Sequence, residues 1–291
     1  MRIVNFGSLN IDYVYSVDHF VQPGETLSAD IMQIYPGGKG LNQSIAVARA
    51  GGDIHHAGRY GADGTFLMEL LKENGVDTNC LEKMDASNGH AIIQVDQHGE
   101  NSILLYGGTN EMVDEAFIDR TIESVQSDDI VLFQNEVSSI GYAMKKAKEK
   151  GCKIALNPAP MNQKVLGYPL ELVDILVVNE TEGEALSGEK EVDAILNALK
   201  KAYPHTKVIL TLGSKGAWFA FGDERFFVKA CKVDKVVDTT AAGDTFIGYY
   251  LACISKGVDD KEALETATKA AAITVSRKGA AVSVPTMDEL K

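Results

Sequence analysis

The chain has 291 residues, 45% of them apolar, which is enough for one large α/β domain or two ordinary ones around a packed core. Its 28 basic and 41 acidic residues leave a net charge of −13, which opposes sequence-independent attraction to nucleic acid or to an anionic membrane. Any phosphate site must therefore be local, built from backbone amides, a helix N-terminus or a metal ion.

The longest apolar stretches, such as residues 174–179, are broken by polar residues well before the roughly 20 that a membrane span requires. Met1-Arg-Ile-Val-Asn-Phe-Gly7 reads as a strand start with no charged leader or small-residue cleavage site, so export is not expected. Cys80, Cys152, Cys231 and Cys253 include no C-x-x-C pair, which signals neither a zinc site nor a disulfide framework and suits a reducing cytoplasm.

After that first strand, residues 12–35 alternate apolar and polar, the period of a half-exposed strand. Pro36-Gly-Gly38-Lys39-Gly-Leu-Asn42 then leads into a helix predicted over 41–50. It lacks the G-x-x-x-x-G-K-[ST] spacing of a P-loop, so on its own it is a turn before a helix. A second helix is predicted over 65–74. Residues 90–106 alternate again around a turn at 97–100, and the two alternating pieces read as antiparallel strands that pair into one small sheet. That sheet, drawn from about 12–35 and 90–108, is expected to form a lid inserted in a single α/β body spanning 1–291. The six histidines show no metal-ligand spacing, and His90, entering the first strand of the second piece, is the one singled out for substrate contact.

From about residue 113 helical periods alternate with short β-rich runs, as in βαβ units around a mostly parallel sheet. Strands are predicted over 130–133, 153–156, 175–178 and 208–212, with helices over 139–150, closed by Gly151, and over 192–202. Glu136 stands just past the first of these strands, where strand ends face a crevice in open α/β sheets, although a solvated loop carboxylate has the same local appearance. Asn179-Glu-Thr-Glu182 reads as a helix cap with an acidic first turn.

The most informative string is Asp238-Thr-Thr240-Ala241-Ala242-Gly243-Asp244, which opens a helix whose apolar spacing runs to Gly257. Ala241, Ala242 and Gly243 have almost no side chain, so their N–H groups approach a phosphate closely while the helix dipole adds positive potential. Asp244 stands at the edge of that anion site, although a carboxylate in a first turn is also simply favourable for a helix. Asp12 and Asn42 are residue types that accept and donate hydrogen bonds to vicinal hydroxyls.

This string closely resembles the C-terminal signature of the ribokinase family, the PfkB carbohydrate kinases, and the likeness runs the whole chain. Gly7-Ser-Leu-Asn10-Ile-Asp12 is similar to the family's first sugar-binding strand end, and Gly37-Gly38-Lys39-Gly-Leu-Asn42 to its sugar loop. Glu136 matches a carboxylate that contacts the sugar, Asn179-Glu-Thr-Glu182 the family's Asn-x-x-Glu motif, and Thr211-Leu-Gly213-Ser214-Lys-Gly216 its nucleotide loop. The resemblance implies a three-layer αβα domain with a mostly parallel sheet and a small β lid, and a homodimer formed through the lids. It implies ATP as phosphoryl donor, Mg²⁺ held near Glu182 through water, and K⁺ at Asp238, Thr240, Thr274, Arg277, Gly279 and Ser283, mostly through backbone carbonyls. Nucleotide contacts fall at Asn179, Thr211, Gly213, Ser214, Gly216 and Gly243, and sugar contacts at Asn10, Asp12, Gly38, Lys39, Asn42, Glu136 and Asp244.

The chemistry so implied is in-line transfer of the ATP γ-phosphoryl to a primary hydroxyl, with Asp244 as base and the amides of 241–243 stabilising charge. D-Ribose is the first choice of acceptor, on strings such as Leu156-Asn-Pro-Ala-Pro160 and Ser276-Arg-Lys-Gly279. Deoxyribose, another pentose, fructose or a nucleoside stay open, as does a catalytically silent sugar- or nucleotide-binding protein of the same fold. A dinucleotide-dependent oxidoreductase ranks last, because Phe6-Gly7-Ser-Leu-Asn-Ile-Asp12 supplies only one glycine where G-x-G-x-x-G is required.

Overall fold

In the computed structural model, which describes residues 1–291, the chain opens with strands β1 (Ile3–Phe6), β2 (Asn10–Ser16) and β3 (Ile31–Gly37). Helix α1 (Lys39–Arg49), β4 (Ile54–Gly61), α2 (Thr65–Glu73), β5 (Asp77–Met84), β6 (Gly89–Val95) and β7 (Asn101–Tyr106) follow. The next stretch alternates: α3 (Glu115–Ser124), β8 (Ile130–Gln134), α4 (Ile140–Glu149), β9 (Lys153–Asn157), β10 (Ile175–Asn179) and α5 (Glu180–Ser187). The chain closes with α6 (Val192–Ala202), β11 (Lys207–Thr211), β12 (Gly216–Phe221), β13 (Glu224–Lys229), α7 (Ala242–Ser255) and α8 (Asp260–Val275).

Nine strands form one sheet in the order β13-β12-β11-β10-β9-β8-β1-β4-β5. Its neighbours from β5 to β11 pair in parallel, and β12 and β13 add an antiparallel hairpin at one edge. Strands β8 to β11 read as near-continuous apolar runs because both of their faces are covered. In β8, Ile130 and Leu132 face the core shared with α1, α2, α7 and α8, while Val131 and Phe133 face the core shared with α3, α4 and α6. This alternation produces the three layers. No helix is long and apolar enough to cross a membrane.

The second sheet has four strands, in the order β3-β2-β6-β7. Here the expectation of antiparallel strands needs correcting: β2 pairs with β3 and β6 with β7 as antiparallel hairpins, but the central β2–β6 pair is parallel. The cause lies in the large sheet. Strands β2 and β6 follow β1 and β5, two strands of the parallel sheet, so both leave the same edge in the same direction. The small sheet starts at Asn10 and Gly89, slightly earlier than the alternation suggested, because those residues already belong to the crossing between the sheets.

Candidate active site

Glu136, Asn179 and Thr211 stand at or just past the C-terminal ends of the parallel strands β8, β10 and β11, and Asn10 and Asp12 lie on β2 of the small sheet. Close packing brings them there. Gly40, in the first turn of α1, lies against the turn after β1, where an added Cβ would lie 2.2 Å from the Ser8 nitrogen and 2.4 Å from the Gly7 Cα. Gly38 takes φ 96°, a left-handed value that suits glycine. Two of the loop's amides are used internally: Lys39 N donates to Glu136 Oε2 (2.8 Å) and Gly40 N to Ser8 Oγ (3.2 Å). The Ser8 hydroxyl also donates to Glu136 Oε2. The glycines here bring elements together, and Glu136 ties the loop to β8.

Asp244 lies in the first turn of α7, just after Ala241, which adopts φ 59°. Its carboxylate is buried and accepts from Asn42 Nδ2 (3.1 Å, on Oδ2) and Gln43 Nε2 (2.9 Å, on Oδ1). Lys39 is held above its ordinary pKa chiefly by Asp244, then by Glu136 and Glu182, against the opposing effect of burial. It therefore remains an ammonium among three carboxylates. Burial pushes the Glu136 and Glu182 carboxyls up, and Lys39 partly offsets this in each. Asp12 is pushed up to about 7, first by burial and then by the like charge of Glu136. Its carboxylate lies against Gly37, where a Cβ would sit 2.2 Å from Asp12 Oδ2.

A cavity of about 220 Å³ is lined by Lys39, Asn179, Glu182, Thr211, Gly243 and Asp244, among others. Asn179 and Glu182 form a reciprocal capping box on α5, in which Asn179 N donates to Glu182 Oε2, and Asn179 Nδ2 adds a bond to Glu182 Oε1 (3.0 Å both). The helix-cap reading of this pair is what the structure shows. The buried carboxylate caps its helix, and each oxygen keeps lone-pair capacity for water. No three His, Cys, Asp or Glu side chains converge as a metal cage. A single carboxylate with spare acceptor capacity fits Mg²⁺, which keeps much of its hydration shell. At the loop after β11, Gly213 takes φ 53° and Ser214 is exposed. Gly216 takes φ 133°, and a Cβ there would meet Val228 O at 2.1 Å, so its glycine also serves the β12–β13 hairpin.

Around the anion loop, Asp238 Oδ1 accepts from Thr240 N (2.9 Å) and Thr240 Oγ1 (2.6 Å), and its Oδ2 from Gly279 N (3.0 Å). Burial acts against this charge, but those donors hold Asp238 below its ordinary pKa. Thr274 Oγ1 donates to Thr245 Oγ1 (3.1 Å), directly beside Asp244. The Arg277 guanidinium pairs with Glu289 (2.5 Å) and the Ser283 hydroxyl with Ala280 O (2.7 Å). The side chains of Arg277 and Ser283 are thus engaged elsewhere.

His90 is not beside Asp12. It pairs across β2–β6 with Ile11, so it lies on the opposite face of the small sheet, its ring 5.0 Å from Tyr106 and 5.8 Å from Tyr13. Two buried asparagines that sequence reasoning missed hold the crossing between the sheets. Asn110 Oδ1 accepts from Leu9 N (3.0 Å) and its Nδ2 donates to Asn10 Oδ1 (2.7 Å), while Asn88 Nδ2 donates to the Leu9 and Gly89 carbonyls (2.8 Å each). Neither sits in a spaced motif that marks it.

A profile described as pfkB family carbohydrate kinase matches residues 1–287. A ribokinase of Staphylococcus aureus is 36% identical over 301 residues, covering 99% of this chain and 98% of its own. A deoxyribokinase of Salmonella typhi is 32% identical over 299 residues, covering 99% and 97%. The structure of Arabidopsis thaliana ribokinase complexed with ribose and ATP superposes with a TM-score of 0.88 at 30% identity, covering 99% of this chain and 97% of that one.

Proposed function

The chain belongs to the pfkB family of carbohydrate kinases, and from that premise we propose that it transfers the γ-phosphoryl of ATP to the primary 5-hydroxyl of D-ribose, giving ribose 5-phosphate. The observation that carries this reading is the Asp244 carboxylate, buried at the start of α7 after a loop of small residues and sharing one cavity with Lys39 and Glu182.

Phosphoryl transfer of this kind depends on positioning and charge neutralisation. Asp244 Oδ2, paired only with Asn42, takes the hydroxyl proton as the phosphoryl group arrives. The amides of 241–243 face the phosphates with the dipole of α7 behind them, and Lys39 neutralises charge at the reacting end. Asp12, Asn10, Gly38, Asn42 and Glu136 hold the sugar, while Asn179, Thr211 and the turn bearing Gly213, Ser214 and Gly216 receive the nucleotide. The small sheet serves as the lid that excludes water, which would otherwise accept the phosphate. Glu182 would hold Mg²⁺ through water, and that ion would supply charge neutralisation on the phosphates. Lids pairing in a homodimer and a cytoplasmic location complete the reading; the four cysteines, all free, suit a reducing compartment.

The test is an ATP-consumption assay across ribose, deoxyribose, fructose, fructose phosphates and nucleosides. Ribose is expected to give the highest kcat/KM, and Asp244→Asn to lower turnover by about 10²- to 10⁴-fold. A preference for deoxyribose would move the assignment within the family. Absence of turnover with every acceptor would leave the silent binding protein.

Potassium belongs to the same proposal. Asp238 with the carbonyls of Thr240, Thr274, Arg277, Gly279 and Ser283 would place a monovalent cation beside the anion loop and order its amides. Titrating potassium chloride into a tetramethylammonium buffer at constant ionic strength is expected to raise turnover. A flat titration from full activity rules the cation out.

A further inference from the structure

Beneath Asp244 runs a buried chain of amide side chains to which the proposed mechanism gives no part. Gln43 Nε2 donates to Asp244 Oδ1 (2.9 Å) and to Asn157 Oδ1 (3.3 Å), and Asn157 Nδ2 donates to Val177 O (3.1 Å). Gln134 Nε2 donates to Gln43 Oε1 (2.8 Å) and to Asn5 Oδ1 (2.9 Å). Asn5 Nδ2 donates to Gly40 O and to Ser44 Oγ (2.9 Å each), and Ser44 Oγ lies 2.8 Å from His56 Nδ1. His56 Nε2 lies 3.1 Å from Gly7 O.

Each end of the chain fixes its polarity. At one end Asp244 accepts and Val177 O accepts, so Gln43 and Asn157 must turn their nitrogens toward them. At the other, the carbonyls of Gly40 and Gly7 demand N–H from Asn5 and His56. Burial holds His56 at a pKa of about 4, hence neutral, with Nδ1 free to accept from Ser44. Gln134 must then donate to both neighbours, which leaves its Oε1 as a buried acceptor with no partner. Every amide hydrogen of Gln43 is used, and one of them is fixed on Asp244.

We infer that Gln43 is a positioning residue for the reaction: backed by Gln134 and Asn5, it fixes Oδ1 of Asp244 so that Oδ2 alone faces the acceptor hydroxyl. The inference rests on the kinase reading for its rate consequences and on the hydrogen-bond chain for its geometry. Lys39 on α1, Glu136 after β8 and Glu182 on α5 are the charged groups facing Asp244, and substitution at 43 leaves all three in place.

The experiment compares wild type, Gln43→Met and Gln43→Glu for kcat, both KM values and the pH dependence of kcat. Loss of a donor to a charged acceptor is expected to lower kcat by about 10- to 100-fold, with both KM values within about threefold of wild type. The acidic limb of the kcat profile is expected to move to higher pH in Gln43→Met, because the carboxylate loses a bond that favours its charged form. It should move further in Gln43→Glu, where a second carboxyl of nearly the same shape competes for the proton. A limb that stays in place in either folded variant overturns the inference, whatever happens to the melting temperature. Should Gln43→Met fail to fold, Gln43→Glu decides alone. Should wild type turn over no acceptor, the ¹³C titration of the Asp244 carboxyl carbon in wild type and Gln43→Glu still decides the geometry, by the same upward movement or its absence.

Discussion

Asp12, assigned to the sugar in the proposed function, carries an electrostatic cost in the fold. Its carboxyl, pushed up to about 7 by burial and by Glu136, prefers to be neutral in the folded protein. A folded pKa above the unfolded one means stability that is fully present below about pH 4 and lost as pH rises toward about 7. Asp12→Asn removes the buried charge, so the unliganded variant is expected to melt at or above the wild-type temperature at pH 8. The same change should raise the sugar KM far more than the ATP KM, since a carboxylate accepting from hydroxyls is lost. In wild type, the sugar KM should fall as pH rises through about 7. A lower melting temperature at pH 8, or equal effects on both substrates, would remove Asp12 from the sugar site. At this scale the sequence was legible where chemistry comes in strings: Asp244 stands out through 238–244, and Glu182 through its Asn-x-x-Glu. Gln43, Gln134, Asn5, Asn88 and Asn110 were not legible, because a single amide carries no period and its partners lie on other strands. His90 misled for a related reason, since strand alternation fixes that Asp12 and His90 face oppositely only once the β2–β6 register is known.

The site depends on two helices held unusually close. Gly248, one turn beyond Asp244 on α7, packs on α1, where an added Cβ would lie 2.4 Å from Ala46 Cβ and 2.9 Å from Val47 N. Helix α1 carries Asn42 and Gln43, so the spacing of these helices sets the bonds to Asp244. Propensity alone favours Gly248→Ala by up to about 1 kcal/mol, whereas overpacking against backbone costs about 1–3 kcal/mol. Because the near neighbours are a backbone nitrogen and a short side chain that cannot swing away, the clash should win. The variant is expected to melt several degrees lower, at about 2–4 °C per kcal/mol for a chain of this size, and to lose turnover as the two helices separate. A rise in melting temperature at unchanged kcat would show that the helices accommodate the methyl freely. The helices and buried strands that sequence periodicity marked lie where it put them: 192–202 is α6, and 130–133, 153–156 and 175–178 each fall within a parallel strand. The parallel β2–β6 pairing was hidden because alternation reports which face a residue takes and carries no information on strand direction.

Across the whole molecule the small sheet leaves one large surface without a cover. Ile34, Tyr13, Ile92 and Leu104 lie side by side across its four strands, with Ile34 at 51% and Leu104 at 68% exposure. All six residues of β7, an edge strand, are exposed. An apolar stripe beside an open edge invites pairing with another chain, and the sheet's opposite face is already committed, through Asp12, to the site. The homodimer proposed above would cover this stripe with a second copy of the chain. Net charge argues in the other direction: two chains of −13 repel each other, so the interface has to be held by apolar burial, and salt should strengthen it by screening that repulsion over a Debye length of about 10 Å at 0.1 M. Sedimentation equilibrium is expected to show a dimer at micromolar concentration that tightens between 0.05 and about 0.3 M sodium chloride. Leu104→Glu, which places a charge in the stripe without touching Asp12, should yield a folded monomer with a higher sugar KM, since a lid lacking its partner closes less often over the sugar, and with an ATP KM close to wild type. A wild-type monomer with full activity, or dimerisation that weakens as salt rises, would mean that the stripe serves something other than self-association.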